Sequence, residues 1–162
     1  MEPATLLKAR AAADRLLAVR PRSEQELRQR LERRGFPDTI VETTVQALTR
    51  QGLLNDPQFA RYVATSRLLS KPVGIRRLRE QVRRTGVPPA VAEQAVRAAT
   101  EGYDEAEAAR ALAVRRWASL ARLPAATGTR RLIGFLQRRG FQGEVVYRVV
   151  REVARGDAEG PA

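Results

Sequence analysis

The chain of 162 residues carries 30 lysines and arginines against 18 acidic residues, a formal net charge of +12, and has no cysteine and no histidine. Disulfides are therefore excluded, the commonest zinc ligands are missing, and no imidazole is available for general acid–base work. No apolar run is long enough to cross a bilayer and the amino terminus lacks the core of a signal peptide, so a soluble, cytoplasmic protein is expected.

Residues 5 to about 20 pattern as an amphipathic helix with Leu6, Leu7, Leu16 and Leu17, ending before Pro21. Ser23 then caps the next helix, and Glu26 completes a Ser-x-x-Glu capping box. Leu27 and Leu31 share one face of that helix, and Gly35 stands where a left-handed ending is needed. Pro37-Asp38-Thr39 opens a helix with an apolar stripe of Ile40, Val41, Val45 and Leu48. Asn55-Asp56-Pro57 reads as another start, with Asp56 as cap, Pro57 in the first turn, and Phe59, Val63 and Leu69 facing inward.

After a break near residues 70–74 comes a helix with Leu78 and Val82, closed by Gly86, and Pro88-Pro89 opens the next, striped by Val91, Val96 and Ala99. Asp104 caps a long helix to about Leu120, with Leu112 and Trp117 as core. A second break at 123–128 precedes a helix with Leu132 and Leu136, closed by Gly140, and a last helix with Val145, Val146, Val150 and Val153 that stops near Arg155. No segment reads as a strand.

These elements repeat. Gly35, Gly86 and Gly140 lie 51 and 54 residues apart, each followed by an apolar residue: Phe36, Val87 and Phe141. Aligned on the glycines, Leu27, Leu78 and Leu132 coincide, as do Leu31, Val82 and Leu136, and Val45, Val96 and Val150. If each glycine is C′ of its helix, the following residue packs on C3, which is Leu31, Val82 or Leu136. The pattern predicts an N-terminal helix over 1–21, three helical repeats over 22–70, 71–122 and 123–155, and a flexible tail over 156–162.

Only Lys8 and Lys71 are lysines, so the positive charge is nearly all arginine. Genomic base composition would explain the choice of arginine over lysine but not the sign of the net charge, and a polyanionic partner is expected. Arg76, Arg79 and Arg83 fall on one helix flank at i, i+3, i+7, a row suited to phosphates or an acidic protein groove, or to a solvated face. Arg33-Arg34 and Arg138-Arg139 precede their glycines, where cations also complement the helix dipole. Arg130-Arg131, read as preceding its helix, lacks that structural reason and is a candidate contact. Trp117, flanked by Arg115-Arg116, is read as core rather than as a base-stacking residue. Glu24, Glu26, Glu32, Asp104, Glu105 and Glu107 sit at helix starts or on exposed faces and form no catalytic pair; no phosphate-binding loop appears, and Ser66, Ser70 and Ser119 have no histidine to activate them. Binding rather than catalysis follows.

The run Arg22-Ser23-Glu24-Gln25-Glu26-Leu27, then Leu31, Arg34-Gly35-Phe36, Gly52 and Asn55-Asp56-Pro57-Gln58-Phe59-Ala60, resembles the signature of the RecX regulatory proteins. Gly74 with Leu78, Gly86-Val87, and the closing Arg138-Arg139-Gly140-Phe141 continue the resemblance over residues 10 to 155. It implies an all-α fold, an elongated, curved array of three tandem three-helix repeats, here with a leading N-terminal helix. It implies a non-enzymatic bacterial modulator without cofactors. Such a protein binds the RecA recombinase and its filament on single-stranded DNA, suppressing filament growth, ATP hydrolysis, strand exchange and coprotease activity. Arg76, Arg79, Arg83, Arg130, Arg131, Arg138 and Arg139 are the candidate contacts to RecA or DNA, with direct DNA binding weak and nonspecific and the protein a monomer. The rival readings are a nonspecific DNA binder that only competes for DNA, a sequence-specific helix-turn-helix factor, and a scaffold for an unrelated acidic partner. The turn Phe141-Gln142-Gly143-Glu144 and the tail from Gly156 to Ala162 depart from the family pattern.

Overall fold

The structure, a computed structural model, describes residues 3–158. They are helical throughout, with no strand among the described residues: α1 (Pro3–Val19), α2 (Glu24–Glu32), α3 (Asp38–Arg50), α4 (Asp56–Ser70), α5 (Ile75–Arg83), α6 (Pro89–Ala99), α7 (Glu105–Leu120), α8 (Ala125–Arg138) and α9 (Gly143–Ala158). The expected all-α class holds. The last helix runs through Gly156 to Ala158, past the expected stop near Arg155; residues 159–162 of the expected tail lie outside the described residues. The chain divides into two compact units, Met1–Val63 with Gln81–Ala95, and Ala64–Glu80 with Val96–Ala162.

In the first unit, α1, α2 and α3 share one core of Ala12, Ala13, Leu16, Leu27, Leu31, Val41, Val45 and Leu48, joined by Leu54. Helix α1 is thus a member of a three-helix group and not a leader ahead of it. It packs through Leu16 and through Ala9, Ala12 and Ala13, whose small side chains let the backbones approach, while Leu7 stays 70% exposed. Phe59 is buried on α4 as expected, Val63 is half-buried, and Leu69 is 83% exposed, so the inward stripe expected along α4 does not extend to its last turn.

The second unit repeats the grouping. Helices α7, α8 and α9 enclose Ala109, Ala113, Trp117, Leu120, Leu132, Leu136, Phe141, Val146, Val149 and Val150. Helix α7 therefore packs with the two helices that follow it, whereas the sequence pattern assigns it to the preceding repeat. Helix α8 starts at Ala125, so Gly128 is inside it rather than in a break. A Cβ there would stand 3.2 Å from the Leu120 carbonyl oxygen and 3.3 Å from the Trp117 ring, so a bare glycine lets α8 close on that ring. Trp117 is core, as expected.

The three glycine endings form as the spacing predicts. Gly35, Gly86 and Gly140 have φ of 83°, 84° and 84°. Gly35 N donates to Glu32 O (2.8 Å) and Phe36 N to Leu31 O (3.3 Å), and Gly140 and Phe141 repeat both bonds with Gln137 and Leu136 (2.9 and 3.3 Å). At the middle ending Gly86 N still bonds Arg83 O (3.0 Å) and Thr85 N bonds Val82 O (3.1 Å) as Arg34 and Arg139 do in theirs, but the second bond to that carbonyl comes from the Thr85 hydroxyl (2.6 Å) rather than from the residue after the glycine. Only this repeat has a hydroxyl before the glycine.

Two helix starts differ from expectation. Ser23 Oγ accepts from Glu26 N (3.1 Å), which is half of a capping box, but the Glu26 carboxylate turns to Arg20 (2.5 Å) and Arg22. Arginines can deliver charge-assisted bonds that a backbone N–H cannot. Asn55, not Asp56, caps α4, its Oδ1 accepting from Gln58 N at 3.0 Å. The buried Asp56 carboxylate reaches across to Glu24 N (2.9 Å) and caps α2 from outside. Burial pushes its carboxyl above the usual aspartate range, partly opposed by the Glu24 amide. In the second unit Asp104 caps α7 by accepting from Glu107 N (2.9 Å), and the adjacent Glu105 accepts from Ile75 N of α5, also at 2.9 Å. One device thus appears twice: an Asn or Asp caps its own helix, and the next carboxylate caps another.

Candidate functional site

Helix α5 buries Leu78 and Val82 and leaves Arg76 and Arg77 exposed in its first turn. That turn lies against the end of α8. Gly74 N donates to Arg139 O at 2.9 Å, and a Cβ on Gly74 would overlap the Gly140 carbonyl carbon at 2.0 Å. A Cβ on Gly140 would in turn stand 2.3 Å from Arg77 Cβ. Two glycines 66 residues apart thus let two backbones touch. Arg76 Nη2 donates to Gln137 O (3.0 Å), a carbonyl that Gly140 N also reaches, and Arg77 Nη1 donates to Arg138 O (2.7 Å), so both side chains complement the carbonyl end of α8.

The contact gathers arginines far apart in sequence. Arg138 and Arg139, at the α8 ending, stand beside Arg76 and Arg77. The Arg139 guanidinium lies 5.5 Å from the Phe135 ring centre and that of Arg116, from α7, lies 5.7 Å from it. None of Arg76, Arg77, Arg116, Arg138 and Arg139 has a carboxylate partner among the described residues. In the first unit Arg10 pairs with Asp14 (3.0 Å), Arg20 with Glu26 (2.5 Å), Arg28 with Glu42 (3.0 Å) and Arg83 with Glu93 (2.9 Å). Unneutralised charge is therefore concentrated in the second unit, although its Arg110 is held by Glu107 and Glu152, both at 2.7 Å.

Of the arginines singled out from sequence, Arg76, Arg138 and Arg139 come together. The expected row of Arg76, Arg79 and Arg83 is dispersed: Arg76 is turned to α8, Arg79 is half-buried, and Arg83 is tied to Glu93. Arg130 and Arg131 are exposed in the second turn of α8 rather than ahead of it, and Arg131 shares the flank of Arg138 at i, i+7. Sequence reasoning passed over Arg77, Arg116 and Phe135, which only tertiary contacts assemble. It also passed over Tyr147, Arg148, Arg151 and Arg155, which the period of α9 places outward. Among the described residues no acidic cluster could hold a metal ion, and no helix is long and apolar enough to cross a membrane.

Comparison with known proteins places these features in context. Residues 9–48 match the model of the first three-helix domain of RecX, and residues 103–150 that of its third three-helix domain. The match boundaries follow the helix groups α1–α3 and α7–α9. The regulatory protein RecX of Amycolatopsis mediterranei is 38% identical over 91% of this chain and 84% of its own length, and that of Thermobifida fusca is 36% identical over 90% and 78%. The crystal structure of RecX from Lactobacillus salivarius superposes with a TM-score of 0.83 at 16% identity, covering 94% of this chain and 98% of that one. A second RecX crystal structure gives 0.81 at 20% identity, covering 91% and 73%.

Proposed function

Because this chain belongs to the RecX family of regulatory proteins, we propose that it binds the RecA recombinase and its filament on single-stranded DNA and restrains the filament's growth, ATP hydrolysis, strand exchange and coprotease activity. Its place of action is the cytoplasm and its working form is a monomer. Family membership supports the choice of partner. The observation that supports the choice of site is the group of Arg76, Arg77, Arg116, Arg138 and Arg139, five cations without carboxylate partners among the described residues. Guanidinium groups so placed suit acidic side chains on RecA protomers or the phosphates of the enclosed strand. Arg130 and Arg131 extend the same reading along α8. An effect on ATP hydrolysis then acts through RecA, by opposing the closure that hydrolysis needs or by stopping addition at a filament end.

The test is RecA's single-strand-dependent ATP hydrolysis, measured with substoichiometric protein and DNA in excess. Inhibition that survives the excess is expected. Inhibition abolished by added DNA, with a steep salt dependence, would instead identify a nonspecific binder that competes for DNA.

A further inference from the structure

We propose that the outward face of α9 is a docking surface for single-stranded nucleic acid, with Tyr147 as a stacking platform and Arg148, Arg151 and Arg155 as phosphate contacts. This rests on and deepens the preceding reading by giving direct DNA contact a surface of its own, and its primary readout, oligonucleotide binding, is taken without RecA.

The pattern of α9 divides cleanly. Val146, Val149 and Val150 are buried in the core of the second unit. At about 100° per residue, Tyr147, Arg148, Arg151 and Arg155 fall on the other side within an arc of about 100°. All four are exposed, and the Tyr147 ring, at 54%, neither enters the core nor finds a hydrogen-bond partner among the described residues. None of the three arginines makes an ion pair or a hydrogen bond among the described residues. The neighbouring acid, Glu152, is already occupied by Arg110 at 2.7 Å, and Glu144 sits in the first turn, where the helix dipole favours it. The face is left with net positive charge and one open aromatic ring.

The occupant follows from that chemistry. Arg148 and Arg155 are separated by about 10 Å along the helix, so the three guanidiniums can follow a phosphate backbone. A tyrosine face stacks on any unpaired base, and positive grooves interleaved with aromatic rings suit single strands without sequence preference. A duplex would satisfy the arginines but hide its base faces from the ring. An acidic protein would likewise satisfy the arginines and leave the ring without a role.

The experiment is fluorescence anisotropy of a labelled oligothymidylate with the full chain across a salt series, circular dichroism confirming that each variant stays helical. Replacing all three arginines (Arg148→Gln, Arg151→Gln, Arg155→Gln) should weaken binding and make the slope of log affinity against log salt shallower by about 2, at roughly 0.7 per phosphate contact. Tyr147→Ala should weaken binding about tenfold with the slope unchanged, and Tyr147→Phe should restore it. Unlabelled duplex should compete less well than unlabelled single strand. Wild-type affinity and slope in both the triple variant and Tyr147→Ala would overturn the proposal, as would absence of binding by the wild type. So would a triple variant that binds the oligonucleotide normally but no longer inhibits RecA, since the face would then dock protein. Loss of oligonucleotide binding with RecA inhibition retained supports it. Failure of the wild type to inhibit RecA would remove the functional reading above and leave this result standing.

Discussion

Gly35 and Gly140 share a backbone conformation and differ in surroundings. Both have positive φ, but nothing lies within 4 Å of a Cβ on Gly35, whereas one on Gly140 would collide with Arg77. Gly35→Ala should therefore cost only the conformational penalty, about 1–2 kcal/mol. Gly140→Ala adds the collision and should lower the thermal midpoint further, which paired circular-dichroism melts would show. Asp56 makes a second residue-scale case. Its folded carboxyl titrates above the unfolded aspartate because burial disfavours the charge. In the interval between the two values the native state binds more protons. This group's contribution is therefore present below the unfolded value and lost as pH rises through the raised one. Asp56→Asn keeps an acceptor for Glu24 N without the charge. It should be at least as stable as wild type at neutral pH, with its advantage shrinking on acidification. Asp56→Ala should lose about 1 kcal/mol at neutral pH.

At the scale of elements, helix ends fasten helices to one another within each unit. Asp104 caps α7 alone, so Asp104→Ala should cost about 1 kcal/mol. Ser23 Oγ accepts from Glu26 N and also donates to the Thr85 carbonyl at 2.5 Å. Ser23→Ala therefore removes a cap and a second bond made at a fully buried residue, and should cost roughly 2 kcal/mol. Urea titrations of the two variants measure the difference. The place of Ser23 before α2 corresponds to that of Gly74 before α5, and Gly74 likewise bonds the ending of another helix, through Arg139 O. The periodicity of 51 residues therefore governs the contacts between helix groups as well as the apolar stripes.

At the scale of the whole molecule, the arginines separate into those that donate to backbone carbonyls or carboxylates and those that do neither among the described residues. Arg76 and Arg77 donate to carbonyls at the end of α8, while the side chains of Arg138 and Arg139 donate to no carboxylate among the described residues. Arg138→Gln with Arg139→Gln should weaken inhibition of RecA while lowering the thermal midpoint by only about a few degrees, since Arg138 is exposed and the half-buried Arg139 loses only its contact with the Phe135 ring. Arg76→Gln with Arg77→Gln should lower both. A melt of each pair alongside the ATP hydrolysis assay separates the two roles.

The local code was fully legible. Apolar residues four apart, a glycine after the last turn and an apolar residue after that specify a helix and its ending from within about ten residues, so all three endings were readable before any coordinate. The trimming of helix ends was less so: Asn55 displaced Asp56 as the cap because Asp56 found a better-placed donor in Glu24 N, 32 residues away. Grouping was not legible either, since a helix flanked by two others looks equally able to pack with either. The small face of α1 and the bare backbone of Gly128 settled it through close approach. The sequence by itself determined the nine helices found among the described residues, their repeat and the excess of arginine. Only the tertiary structure decided which arginines are neutralised and which meet, because charge pairing depends on distances between side chains that the chain order does not contain.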